Sequence, residues 1–133
     1  MKIVLKNSSL VFQQNNQRTL TEYEVWDGLV NSEGGTSATS SYKSIAWAIT
    51  GGKTHICSCS RSGLNESAAS GWNAISYFDS SKNYISGITL ANVTSSGTTW
   101  EDFQAPAAPA NAAYMVIPNS SMTQPNSSVI EIS

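Results

Sequence analysis

The densest group of chemically capable side chains is His55-Ile56-Cys57-Ser58-Cys59. At strand spacing, His55, Cys57 and Cys59 share one face, an arrangement that could begin a soft-metal site. Zinc needs four ligands, and two cysteines and one histidine are all the chain has. The thiols therefore read as small buried hydrophobes, a disulfide between them would strain the strand, and no residue is assigned to a metal. His55 has no partner motif either. A triad needs a nucleophile and a carboxylate around the imidazole, and no G-x-S-x-G nucleophile elbow occurs. Among the carboxylates, Glu101 and Asp102 are adjacent, so a regular strand points them to opposite faces. Glu22 and Glu24 share a face but stand at a strand start. Neither is the facing pair of a glycosidase. No residue is assigned a catalytic role, no cofactor is expected, and the chain reads as non-enzymatic. There is no D-x-D-x-D loop, and a structural calcium stays an open question.

Aromatic rings are the remaining candidates, because exposed Trp and Tyr can stack on sugars. Tyr42, Trp72 and Trp100 each lie beside a Ser- or Gly-rich loop and are the candidate glycan-binding residues. Trp26 also borders a loop, whereas Trp47 and Tyr77 sit in mid-strand positions that suit a core.

The elements that must position these side chains are strands. The 133 residues make one ordinary domain, with 40% hydrophobic residues for a core. Charged residues are only 12%, about half the usual share. Ser, Thr, Asn and Gln take their place, which suits strands and tight turns more than surface helices. The net charge is −2 and the seven basic residues are scattered, so no patch exists to displace counterions from nucleic acid. No run approaches the ~20 apolar residues of a membrane span. Met1-Lys2-Ile3-Val4-Leu5-Lys6 lacks a signal-peptide core. The expected place of synthesis is the cytoplasm, or a particle assembled there, with no membrane insertion.

Short strand-like runs recur with turn signals every 8–12 residues, the spacing of a sandwich or jelly roll. They include Tyr23–Trp26, Ile45–Ile49, Thr54–Ser60, Trp72–Phe78, Tyr84–Leu90, Thr98–Phe103, Ala112–Ile117 and Val129–Ile132. Gly51-Gly52 predicts a hairpin between the second and third of these. Pro106 and Pro109 limit the Ala-rich 107–113 stretch to one helical turn at most, and Pro118 to Pro125 reads as a loop. Residues 2–13, with a polar turn at Asn7-Ser8-Ser9, read as a short strand pair or one broken strand, followed by a polar linker. The expected architecture is an all-β sandwich, a jelly roll over residues 21–133, preceded by a short N-terminal arm at 1–20.

Three segments resemble a known module family. They are Tyr42-Lys43-Ser44-Ile45 with Gly52-Lys53-Thr54-His55-Ile56, then Ala74 through Gly87 (AISYFDSSKNYISG), then Ala107 through Val116 (AAPANAAYMV). Together they resemble the galactose-binding-like, carbohydrate-binding-module jelly roll of phage tail-fibre, baseplate and head-fibre proteins and of surface proteins of gut bacteria. The likeness covers roughly residues 22–133, and its middle segment is the specific one. His55 stands where that family usually has Tyr, and Met115-Val116 replaces a pattern containing Arg. In the middle segment Asp79, Asn83 and Gly87 form a structural turn motif, Asp79 being able to accept backbone N–H groups. The resemblance implies a virion protein, a fibre or decoration subunit, with host surface glycans as possible ligands. Residues 1–20 would then attach to other virion proteins, and a homotrimer is the expected assembly. The alternative is a bacterial carbohydrate-binding module or surface adhesion protein.

Overall fold

The computed structural model describes residues 17–37, 42–64, 70–94, 99–120 and 124–132. Its strands are β1 (Gln17–Thr19), β2 (Tyr23–Asp27), β3 (Lys43–Ala48), β4 (Thr54–Cys59), β5 (Asn73–Phe78), β6 (Tyr84–Thr89), β7 (Trp100–Ala105), β8 (Tyr114–Asn119) and β9 (Ser127–Ile132). One helical turn, α1 (Leu90–Val93), follows β6. Two antiparallel sheets result, ordered β1-β9-β4-β7 and β2-β3-β8-β5-β6. The strand pairs nest: β1 lies with β9, β3 with β8, β4 with β7 and β5 with β6. That nesting is the rolled-hairpin connectivity of a jelly roll, with β2 added at the edge of the larger sheet.

Alternation explains the layers. In β3, Ile45 and Trp47 point into the main core; in β4, Cys57 and Cys59 do; in β8, Met115 and Ile117 do. Period-two apolar residues from both sheets thus meet face to face. Each fully buried Ile or Leu contributes about 1.5–3 kcal/mol. A second, smaller cluster of Val30, Ala46, Phe78 and Val116 lies on the opposite phase of the larger sheet. Trp26, Tyr84 and Tyr114 pack against it, with the Trp26 and Phe78 rings edge-on at 5.1 Å.

The structure corrects four expectations. Ile45–Ile49 and Thr54–Ser60 are not a hairpin. The chain crosses from one sheet to the other between β3 and β4, and each strand pairs with partners distant in sequence. Gly51 makes the crossing possible, since a Cβ there would lie 2.2 Å from the Ala110 carbonyl oxygen. Pro118 lies inside β8, opposite Ser44. It is tolerated because β5 accompanies β8 only over Tyr114–Val116, leaving a single neighbour strand at the proline. The sandwich begins at Gln17, because β1 pairs with β9 and Leu20 is buried in the main core. Residues 17–20, expected in the arm, therefore belong to the fold, and residues 1–16 lie outside the described residues. Finally, Glu101 and Asp102 do not alternate. Asp102 has a φ of 51°, and the register of β4 against β7 shifts between Cys57 and Cys59. This bulge leaves both acidic side chains exposed.

Candidate functional site

The turn motif is built as a closed local unit. Asp79 Oδ1 accepts the N–H groups of Ser81 and Asn83, both at 2.9 Å. The Asp79 N–H donates to the Asn83 carbonyl, and Lys82 takes a left-handed φ of 67°. Gly87 acts further along the hairpin: a Cβ there would lie 2.1 Å from Asn73 Nδ2. Its missing side chain lets Asn73 donate to Ser76 Oγ at 3.1 Å and to Tyr84 Oη at 3.2 Å. These residues shape β5 and β6.

His55, Cys57 and Cys59 do share a face, and that face is the interior. Each is engaged there. His55 Nε2 lies 3.0 Å from Glu131 Oε2, the Cys57 thiol 3.4 Å from Met115 Sδ, and the Cys59 thiol 3.8 Å from the Pro118 carbonyl. Burial pushes the Cys57 thiol up to about 12. It pushes Cys59 up to about 11, against an opposing hydrogen bond from the Arg61 backbone. Both stay protonated and poor as ligands or nucleophiles. Among the described residues no three His, Cys, Asp or Glu side chains are grouped to hold a metal.

Glu131 completes this brace. It also accepts the Thr50 N–H at 2.8 Å and Arg18 Nη2 at 2.7 Å. Burial alone would raise its carboxyl. The Thr50 N–H, the Arg18 guanidinium and the His55 ring together hold it down at about 2. A carboxylate accepts only, so His55 Nε2 donates to it, and His55 Nδ1 is left without a partner among the described residues. Its His55 and Glu131 side chains are buried, Arg18 caps it from the exposed side, and the brace is structural.

The open site lies elsewhere. A cleft of about 810 Å³ opens at the rim of the smaller sheet. The strand registers put this rim at the end of the sandwich where β3, β5, β7 and β9 begin. Strand β4 supplies Ser58 and is followed by Ser60, β7 supplies Trp100 and Glu101, Asn126 stands on the approach to β9, and Ser128 lies within β9. Thr94 and Thr99 complete the hydroxyl-rich wall. The walls are fixed by backbone. Ser60 N–H donates to the Asn126 carbonyl at 2.8 Å, and Asn126 Nδ2 donates to the Arg61 carbonyl at 3.0 Å. Asn126 N–H in turn donates to Asn119 Oδ1 at 2.6 Å. The bulge at Asp102 hands its N–H to Ser58 Oγ at 2.9 Å. Among the described residues, Glu101 and Cys59 are the only ionisable side chains in the lining, and the Cys59 thiol is protonated. The cleft can offer hydroxyl and amide hydrogen bonds, but it pairs no nucleophile with a base.

Of the three aromatic candidates, Trp100 lines this cleft, yet it is only 5% exposed and belongs to the main core. Its Nε1 is buried without a partner among the described residues. It forms a floor under the cleft and presents no open stacking face. Trp72 is partly buried against the same core, and its carbonyl accepts the Leu90 N–H. Tyr42 is 43% exposed. All three stand at the same end of the sandwich, but Tyr42 and Trp72 are not part of the cleft. The Ser, Thr and Asn residues that do form it carried no distinguishing signal in so hydroxyl-rich a sequence. Comparison with family models, with curated proteins and with solved structures finds no match to this chain.

Proposed function

We propose that this chain is a non-enzymatic virion protein, a head- or tail-fibre or decoration subunit, whose sandwich adheres to host glycans. The observation that carries the adhesive part is the cleft: a hydroxyl- and amide-lined concavity with one aromatic floor residue and, among the described residues, no nucleophile paired to a base. Ligand pockets place a few fixed polar groups around such a concavity, and saccharides are the ligands richest in matching hydroxyls. The virion part rests on the resemblance of the 74–87 and 107–116 segments and on the low-charge Ser/Thr/Asn surface. Assembly as a homotrimer, with residues 1–16 reaching other virion proteins, belongs to the same reading. In its support, β1 and β2 each form the edge of a sheet. A bacterial surface adhesin would use the cleft in the same way.

The test is a glycan array probed with the whole chain, together with light scattering. Saccharide binding by a trimer supports the proposal. A monomer at high concentration removes the fibre assignment, and an array without hits removes adhesion.

A further inference from the structure

We infer that the cleft selects uncharged saccharides and turns away carboxylated ones, with Glu101 as the specificity-determining residue. This rests on the glycan reading above and deepens it. Among the described lining residues Glu101 is the only Asp, Glu, Lys or Arg, and burial keeps the Cys59 thiol beside it protonated. Among them there is thus no Lys or Arg to receive an anion. Arg61 adjoins it in sequence but contributes its carbonyl, to Asn126, and not its guanidinium. Anion recognition by proteins relies on Arg forks, Lys or clustered N–H groups. Here a ligand carboxylate would instead meet a fixed negative charge.

The bulge explains why Glu101 is held at this spot. With Asp102 in the left-handed region and its N–H tied to Ser58 Oγ, β7 cannot slide past β4. Glu101, the residue before Asp102 in the bulge, is thereby placed next to Trp100 in the lining of the cleft. Its neighbours in the lining are hydroxyls and an amide, which hydrogen-bond neutral diols as well as they do anything else.

Two like charges a few ångströms apart in water repel by about 1 kcal/mol, which is about five-fold in affinity. The experiment uses matched oligosaccharides that differ only in a terminal hexose or its uronic acid, titrated into the intact chain at low salt by calorimetry or NMR. The expected result is at least five-fold tighter binding of the neutral member. That gap should shrink to less than two-fold in Glu101→Gln and in wild-type protein at 1 M salt. Equal binding of both members by the wild-type chain overturns the inference and leaves glycan adhesion standing. So does a gap that survives in Glu101→Gln. Failure of every saccharide, in wild type and variant alike, overturns both. Glu101 is exposed, so the variant keeps its fold, and an unchanged urea midpoint verifies this.

Discussion

His55 Nε2 and Glu131 Oε2 lie 3.0 Å apart, with both residues buried and 76 positions separating them in sequence. Their contact ties β4 to β9 at the end of the sandwich opposite the cleft. Glu131→Gln keeps the shape but weakens three charge-assisted hydrogen bonds, and should cost about 2 kcal/mol. Arg18→Ala removes a partner that is 61% exposed and should cost under about 1 kcal/mol. Urea denaturation of the two variants gives both numbers, and a larger loss from Arg18→Ala would contradict this ranking.

Acid should weaken the same brace. The Glu131 carboxyl is held at about 2 in the folded chain, against roughly 4.3 when unfolded. The unfolded chain therefore binds the proton first. The stabilisation is fully present above about pH 5 and fades as pH falls towards 2. Urea midpoints measured from pH 7 to pH 3 should fall more steeply in wild type than in Glu131→Gln, so that the two curves converge.

The turn motif makes a stability prediction. Gly87→Ala would force its new methyl onto Asn73 and should cost about 1–3 kcal/mol, the usual penalty of overpacking. Asp79→Ala, which strips two N–H groups of their acceptor in an exposed turn, should cost about 1 kcal/mol. Thermal melts rank them, and an unaffected Gly87→Ala protein would mean that β6 shifts freely.

Trp100 has to be tested with care. Trp100→Ala removes a buried core ring and should destabilise by about 3–5 kcal/mol, so lost glycan binding in that variant would say nothing about the ligand. Trp100→Phe retains most of the floor and should melt within a few degrees of wild type. Tyr42→Ala, at an exposed position, should leave stability unchanged, and any loss of binding there extends the site beyond the cleft.

The thiols of Cys57 and Cys59 should be silent in the native protein. Burial raises both well above neutral pH, so labelling with a thiol reagent should track global unfolding. Rapid modification of the folded chain would show that the core opens locally.

The strands and turns were legible because they are local. Alternation picked out β2 to β9, and Asp79 with Ser80–Asn83 announced its own turn. Sheet partnership was not legible. Gly51-Gly52 looks like a hairpin turn, and nothing within Ile45–Ser60 reveals that β8 and β9 will take the two strands into different sheets. The depth at which Trp100 is buried was not legible for a related reason. A loop neighbour says where a residue stands along a strand, while burial is decided by which sheet closes over it. The bulge that holds Glu101 depends on Asp102 taking a left-handed φ, which a non-glycine residue does not advertise. The cleft itself is assembled from β4, β7 and β9, whose hydroxyls look like any others in the chain.

The placement of β9 between β1 and β4 sets a timetable for synthesis. Until β9 has left the ribosome, the smaller sheet has no member to join β1 to β4, and His55 waits without its carboxylate. Closure must draw together Gln17 and Ile132 across nearly the whole chain, a contact order that places folding on the millisecond-to-second side. A nascent chain halted before Ser127 would expose the faces of both sheets, and it would be in that interval, more than after closure, that neighbouring copies could pair by the wrong edges.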